Sequence, residues 1–236
     1  MSVTSGNNKT LSLPVRPRRF IDHISLPFLA RMRLYDPARK PRGGRKLKRK
    51  LGQFADELFH GWLNVPARGT MSIRASDDKG GTVEFDAHQS AYLAFASRQL
   101  HGGYEPAETL FLEAVLAKSS NFYDVGCNWG YFSLLAATHP VFQGPVFAFD
   151  VSVEMNAALA RMGTSLELDN LAVAGYGLSD RAGTVGLSAG RSAHLTQITN
   201  LRAPGGESGR TAIVQRLDDL ALPPPDLMKI DVEDHE

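Results

Sequence analysis

Residues Asn121 to Phe132 read NFYDVGCNWGYF, and this stretch decides the fold. Phe122–Val125 is a short, largely apolar run, and two glycines, Gly126 and Gly130, follow it four residues apart. Glycines permit a tight turn and a close approach of backbone to a ligand. The apolar pattern that resumes at Tyr131 predicts a helix to Thr138, stopped by Pro140, whose free N–H groups point back at the turn. Either this is an ordinary strand and turn, or the tip of the strand holds a small molecule.

Downstream the texture alternates. Pro145–Phe149 (PVFAF) predicts a second strand that ends at Asp150, and Val153–Met162 predicts a helix. Leu171–Leu178 reads as a third strand, with Ser179 and Asp180 at its end. Gly183–Leu187 and Ala212–Val214 are short extended pieces separated by a Gly-, Ser- and Arg-rich loop, and Leu227–Ile230 (LMKI) is the last strand. Upstream, the apolar spacing predicts helices over 51–63, 92–100 and 106–117, and a β-hairpin with arms at Met71–Arg74 and Thr82–Phe85. Strands alternating with helices through short links predict an α/β fold with a parallel sheet covered on both faces. Ligands of such sheets sit at the carboxyl ends of the strands.

The 236 residues carry a net charge of only +1, which hides an asymmetry. Residues 1–50 hold 14 Lys and Arg against Asp22 and Asp36, giving +12, and residues 51–236 hold 12 against 23 acids, giving −11. The densest part, Arg31–Lys50, repels itself, and residues 1–50 are expected to form a basic, partly disordered leader. Nucleic acid, anionic lipid and acidic glycan are all suitable anionic partners. Tyr35 is the only aromatic residue in the block, which disfavours single-stranded nucleic acid. Residues 51–105 are expected to form an α+β cap and residues 106–236 the ligand-binding domain. No apolar run approaches the ~20 residues of a membrane helix. The single cysteine, Cys127, excludes an internal disulfide framework, and a cytoplasmic location is expected.

Two ligand classes use a glycine turn at a strand tip. A dinucleotide asks for Gly-x-Gly-x-x-Gly, so that backbone can approach its pyrophosphate. Here the run is Gly126-Cys-Asn-Trp-Gly130, with no middle glycine and a carboxylate, Asp124, just before it. Asp124 opposes a pyrophosphate and favours the cationic groups of S-adenosyl-L-methionine. Asp150 suits either class, because a carboxylate there accepts hydrogen bonds from ribose hydroxyls. Asp180 is placed to accept from an adenine amino group, although Ser179–Gly183 is also a good turn sequence.

The motifs FYDVGCNWGYFSLLAA, VFAFDVSVEMNAAL, GYGLSDRAGTVGL, QRLDDL and DLMKIDVE, in this order, resemble the FkbM family of S-adenosylmethionine-dependent methyltransferases. The resemblance covers about residues 103–236 and includes the Gly103–Pro106 segment, which brings Glu105 into the donor site. It implies the class I methyltransferase fold and O-methylation of a hydroxyl on a sugar, glycan or polyketide-like acceptor. It also implies that Asp124, Gly126, Asn128 and Gly130 surround the methionine part of the donor, Asp150 the ribose, and Ser179 with Asp180 the adenine. Cys127 stands where a small residue is usual, Asp150-Val151 replaces Glu-Pro, and Asp234-His235 replaces Gly-Ala.

Residues after the last strand of such a sheet face the transferred methyl. Asp231 is therefore the first candidate to take the hydroxyl proton or orient the acceptor, and Glu233 the second. Both also suit the cap of a following helix. Lys229, mid-strand, either snorkels or is paired with a carboxylate. His194 and His235 are possible acceptor contacts, and no metal-ligand set is visible. A class I sheet runs 3-2-1-4-5-7-6, so a chain that ends just past its fourth strand is expected to be truncated at the C-terminus. An NAD(P)-binding oxidoreductase and a non-catalytic module that binds anionic surfaces are the alternatives.

Overall fold

The computed structural model describes residues 17–38, 43–74, 80–189, 196–200 and 210–232. The N-terminal half contains β1 (Ile21–Ser25), α1 (Phe28–Arg33), α2 (Gly44–Asp56), a π-helical turn (Glu57–Trp62), β2 (Arg68–Ile73), β3 (Gly81–Asp86), α3 (Ser90–Leu100) and α4 (Pro106–Leu116). The C-terminal half contains β4 (Phe122–Val125), α5 (Tyr131–Ala137), β5 (Val146–Phe149), α6 (Val153–Ser165), β6 (Leu171–Val173) and β7 (Gly177–Leu178). It continues with β8 (Gly183–Ala189), β9 (Thr196–Asn200), β10 (Arg210–Gln215) and β11 (Leu227–Ile230).

The chain is α/β, and its centre is a four-stranded parallel sheet in the order β11-β4-β5-β6. Asp124 of β4 lies between Lys229 of β11 and Ala148 of β5 in the register. β4 is fully buried, in keeping with its largely apolar run, and Asp124 within it is buried too. Successive strands step from β4 to β6 on one side while β11 returns to the other, so the order reverses at β4, where ligands of open sheets bind. No helix among the described residues is long and apolar enough to cross a membrane.

Three expectations are revised. Leu171–Leu178 is not one strand: it breaks over 174–176, after which β7 leaves the parallel sheet and pairs with β10. Gly177 sits so close to Val151 that a Cβ there would lie 2.5 Å from Val151 Cγ1, so the break draws this segment against the end of β5. The polar loop between β8 and β10 contains a further strand, β9, antiparallel to β8. The division at residue 50 also moves. β1 pairs with β2 of the hairpin, α2 begins at Gly44, and Phe20, Ile21, Leu26 and Ala30 are buried.

Arg18 helps to hold this basic segment in place. Its guanidinium donates to the carbonyls of Thr138 at 2.6 Å and Leu135 at 2.9 Å, and its backbone N–H donates to Glu113 at 2.8 Å. A cation at the carbonyl end of α5 also complements the helix dipole. The boundary expected at residue 105 is not a break in packing. Phe20, Met71, Phe85, Tyr92 and Phe95 share one apolar core with Trp129, Tyr131 and Phe132.

Just past α5, His139 is buried, and its Nδ1 accepts from the N–H groups of Val141 at 3.3 Å and Phe142 at 3.0 Å. Burial, with Arg18 adding to it, lowers its pKa from 6.5 to about 4. Between those values the unfolded chain takes up a proton that folded His139 refuses. Stability therefore falls as pH drops through that window, by about 3 kcal/mol for this group. Urea titrations across the window should show that His139→Asn flattens the slope.

Candidate functional site

A cleft of about 460 Å³ opens at the carboxyl ends of β11, β4 and β5, within the ~300–1,000 Å³ typical of small-molecule sites. The sheet order sets the sequence of groups along it. Asp231 follows β11, Gly126–Asn128 follow β4, Asp150 follows β5, and Gly177–Leu178 follow β6. Residues of the N-terminal half close it from above, among them Gln89, Arg98, Tyr104 and Glu105.

The turn after β4 is held from both sides. Gly126, Asn128 and Gly130 all have positive φ, at 76°, 52° and 93°. A Cβ on Gly126 would lie 2.0 Å from the carbonyl oxygen of Asp231, so only glycine lets the two segments pass. The N–H groups of Gly126 and Cys127 donate to Phe149 O at 2.8 and 3.0 Å, and that of Gly130 donates to Cys127 O at 2.9 Å. Asn128 N–H donates to Asp150 Oδ2 at 2.7 Å. On the other side Trp129 is buried, 4.4 Å from Phe95 and 5.5 Å from Tyr92 between ring centroids.

Asp150 has a second partner, since its Oδ1 accepts from Ser152 N–H at 2.8 Å. One carboxylate thus joins the glycine turn to the start of α6, where Ser152 Oγ caps Met155 N–H. Burial raises the Asp150 pKa, and the backbone donors oppose that rise. Each of its oxygens retains a lone pair for a ligand hydroxyl.

Glu105 lines the cleft from a left-handed backbone position at the start of α4, bonded to Arg98 at 3.2 Å. Burial raises its pKa, with Lys229 opposing. Lys229 is mostly buried, lies over the Phe132 ring at 4.9 Å and donates to Asp231 at 2.9 Å, so it has the carboxylate partner considered from its strand position. The Asp231 side chain is 53% exposed and reachable from solvent.

Of the residues singled out from sequence, Glu105, Gly126, Asn128, Asp150 and Asp231 come together in the cleft. Asp124 does not line it. It is 1% exposed, accepts from Ser133 Oγ at 2.6 Å and has its pKa raised by burial. Gly130 faces α6, where a Cβ would lie 2.3 Å from Leu159 Cδ1, so its role is packing. Ser179 and Asp180 stand beyond the lining residues, with Arg181 donating to Asp180 at 2.9 Å. Glu233, His194 and His235 lie outside the described residues. Cys127 lines the cleft but is buried, with its thiol pKa pushed well up by burial, which fits packing rather than nucleophilic chemistry.

Arg98, Tyr104, Val151 and Leu178 were missed. Arg98 ends a predicted helix and Tyr104 stands in the Gly103–Pro106 motif, yet only the fold shows that either reaches the strand tips. No protein-family model, curated protein or solved structure matches this chain.

Replacing Asp150 tests the turn directly. Asp150→Ala leaves two backbone donors without their acceptor and should lower stability by about 1–3 kcal/mol in urea denaturation. Asp150→Asn, which keeps an acceptor, should lose less.

Proposed function

We propose that this chain is an S-adenosyl-L-methionine-dependent methyltransferase of the FkbM type, with a class I methyltransferase fold, acting on a hydroxyl of a sugar, glycan or polyketide-like acceptor. The observation that carries the reading is the row of Asp231, Gly126–Asn128, Asp150 and Gly177–Leu178 along one cleft at the reversal of strand order. The chemistry of the row suits the parts of this donor in turn. Phe149, Val151 and Leu178 provide an apolar lining for adenine. Asp150 accepts from the ribose hydroxyls. The Arg98–Glu105 pair offers a cation for the amino-acid carboxylate and an anion for its ammonium. The motif resemblance over residues 103–236 points the same way.

The bound donor supplies an electrophilic methyl group on a sulfonium, and the protein's task is to position an acceptor oxygen and remove its proton. Asp231 does this in our reading. Its carboxylate is exposed at the cleft and steadied by Lys229, and its backbone is fixed by the contact with Gly126 and by a bond to Val125 O at 2.9 Å.

A dinucleotide fits less well. Pyrophosphate recognition draws on free N–H groups in the glycine turn. Here those of Gly126, Cys127, Asn128 and Gly130 are all bonded within the protein. Asp124 is buried away from the cleft, so the bonded N–H groups, and not its charge, favour the methyl donor.

Calorimetry should detect S-adenosylhomocysteine binding and no comparable binding of NADH, and the reverse pattern would overturn the proposal. With a labelled donor and a panel of sugars, polysaccharides and polyketide alcohols, Asp231→Asn should retain donor affinity and lower turnover by about 10²–10⁴-fold. Undiminished turnover would remove Asp231 from the chemistry.

A further inference from the structure

Helix α2 is turned inside out for a helix of a globular protein. Among its described side chains the buried positions are Gly52 and Asp56, one turn apart. A Cβ on Gly52 would lie 2.8 Å from Met32 Cβ, so the two helices touch there. Asp56, 1% exposed, pairs with Arg33 and accepts from His88 at 2.6 Å. Leu47, Leu51 and Phe54 recur at helical spacing on the opposite side and are 61%, 54% and 72% exposed. The π-helical turn and the residue after it extend the apolar surface with Phe59, Trp62 and Leu63, at 44%, 82% and 53%.

The orientation is enforced. Rotating α2 to bury its leucines would break the Asp56 pairs and pull Gly52 away from Met32. Lys46, Lys48 and Lys50 flank the apolar row and are exposed. A basic helix with an outward apolar stripe and a tryptophan at its end has the composition of one that lies in a lipid headgroup layer. There, leucine and aromatic side chains reach the acyl boundary while lysines contact anionic headgroups.

We propose that α2 and the turn after it form a docking face for an anionic bilayer surface, on which the protein sits peripherally. The pairing of charge with apolar surface selects this occupant. Nucleic acid would satisfy the lysines but leave Leu47, Leu51 and Phe54 in water. A second copy would bury the apolar row but set lysines against lysines. The inference is independent of the chemistry in the cleft.

The full chain should be tested against phosphatidylcholine vesicles with and without phosphatidylserine. Trp129 is 2% exposed, so a change in tryptophan emission on binding reports Trp62. We expect co-sedimentation and a blue shift with the anionic vesicles, neither with phosphatidylcholine alone, and weakening by salt. Leu51→Glu with Phe54→Glu should lower partition about tenfold or more, because burial of both apolar side chains is lost. Near-UV circular dichroism checks that the variant folds, and Trp62→Ser, at a tip 82% exposed, provides a second variant that should also weaken partition. No partition into anionic vesicles overturns the proposal, as does partition unchanged in folded variants. Duplex DNA binding or self-association that is lost in these variants, without vesicle binding, would reassign the face.

Discussion

The carboxylate of Asp150 holds the functional end of this protein together. It accepts from Asn128 N–H at 2.7 Å and from Ser152 N–H at 2.8 Å, and so joins the end of β5, the turn after β4 and the first residues of α6. Asn156 adds to the junction by donating to Asp150 O at 2.8 Å. Trp129 anchors the same turn from the other side, among Tyr92, Phe95 and Tyr131. Asn128 holds a left-handed backbone that costs energy at a non-glycine residue, and these two anchors offset that cost. The cleft is the space left once the turn is fixed.

The N-terminal half is a working part of this arrangement. Its α3 carries both Phe95, which packs on Trp129, and Arg98, which reaches the cleft and lies 5.5 Å over the Tyr104 ring. The basic segment before it is held by specific pairs, Arg18 on α5 and Arg33 on Asp56, together with the buried Phe20, Ile21, Leu26 and Ala30. This use of charged anchors leaves the leucines of α2 outside. The two polar anchors and the exposed stripe are aspects of one packing solution.

Much of the C-terminal half was legible in the sequence. β4, α5, β5, α6 and β11 lie close to where apolar runs, glycines and prolines placed them, because strands of a covered parallel sheet leave short, largely apolar signatures. Gly126, Asn128, Asp150 and Asp231 reached the cleft because a residue just past a parallel strand must lie at its carboxyl edge, whereas Glu105 was reached through the Gly103–Pro106 motif. What failed was non-local. The break in 171–178 depends on Gly177 meeting Val151, and β9, in a polar segment, is defined by pairing with β8. Charge density in 1–50 masks the apolar Phe20 and Ile21, whose burial requires a hairpin some fifty residues away. Asp124 was expected at the rim, but its side chain is enclosed beside Ser133.

The most direct measurement is a crystal structure of the protein grown with S-adenosylhomocysteine. The account predicts density in the cleft, with ribose hydroxyls on Asp150, adenine against Val151 and Leu178, and the amino-acid end toward Arg98 and Glu105. Well-ordered crystals with the ligand bound elsewhere, or with its amino-acid end at Val151 and Leu178, would contradict it.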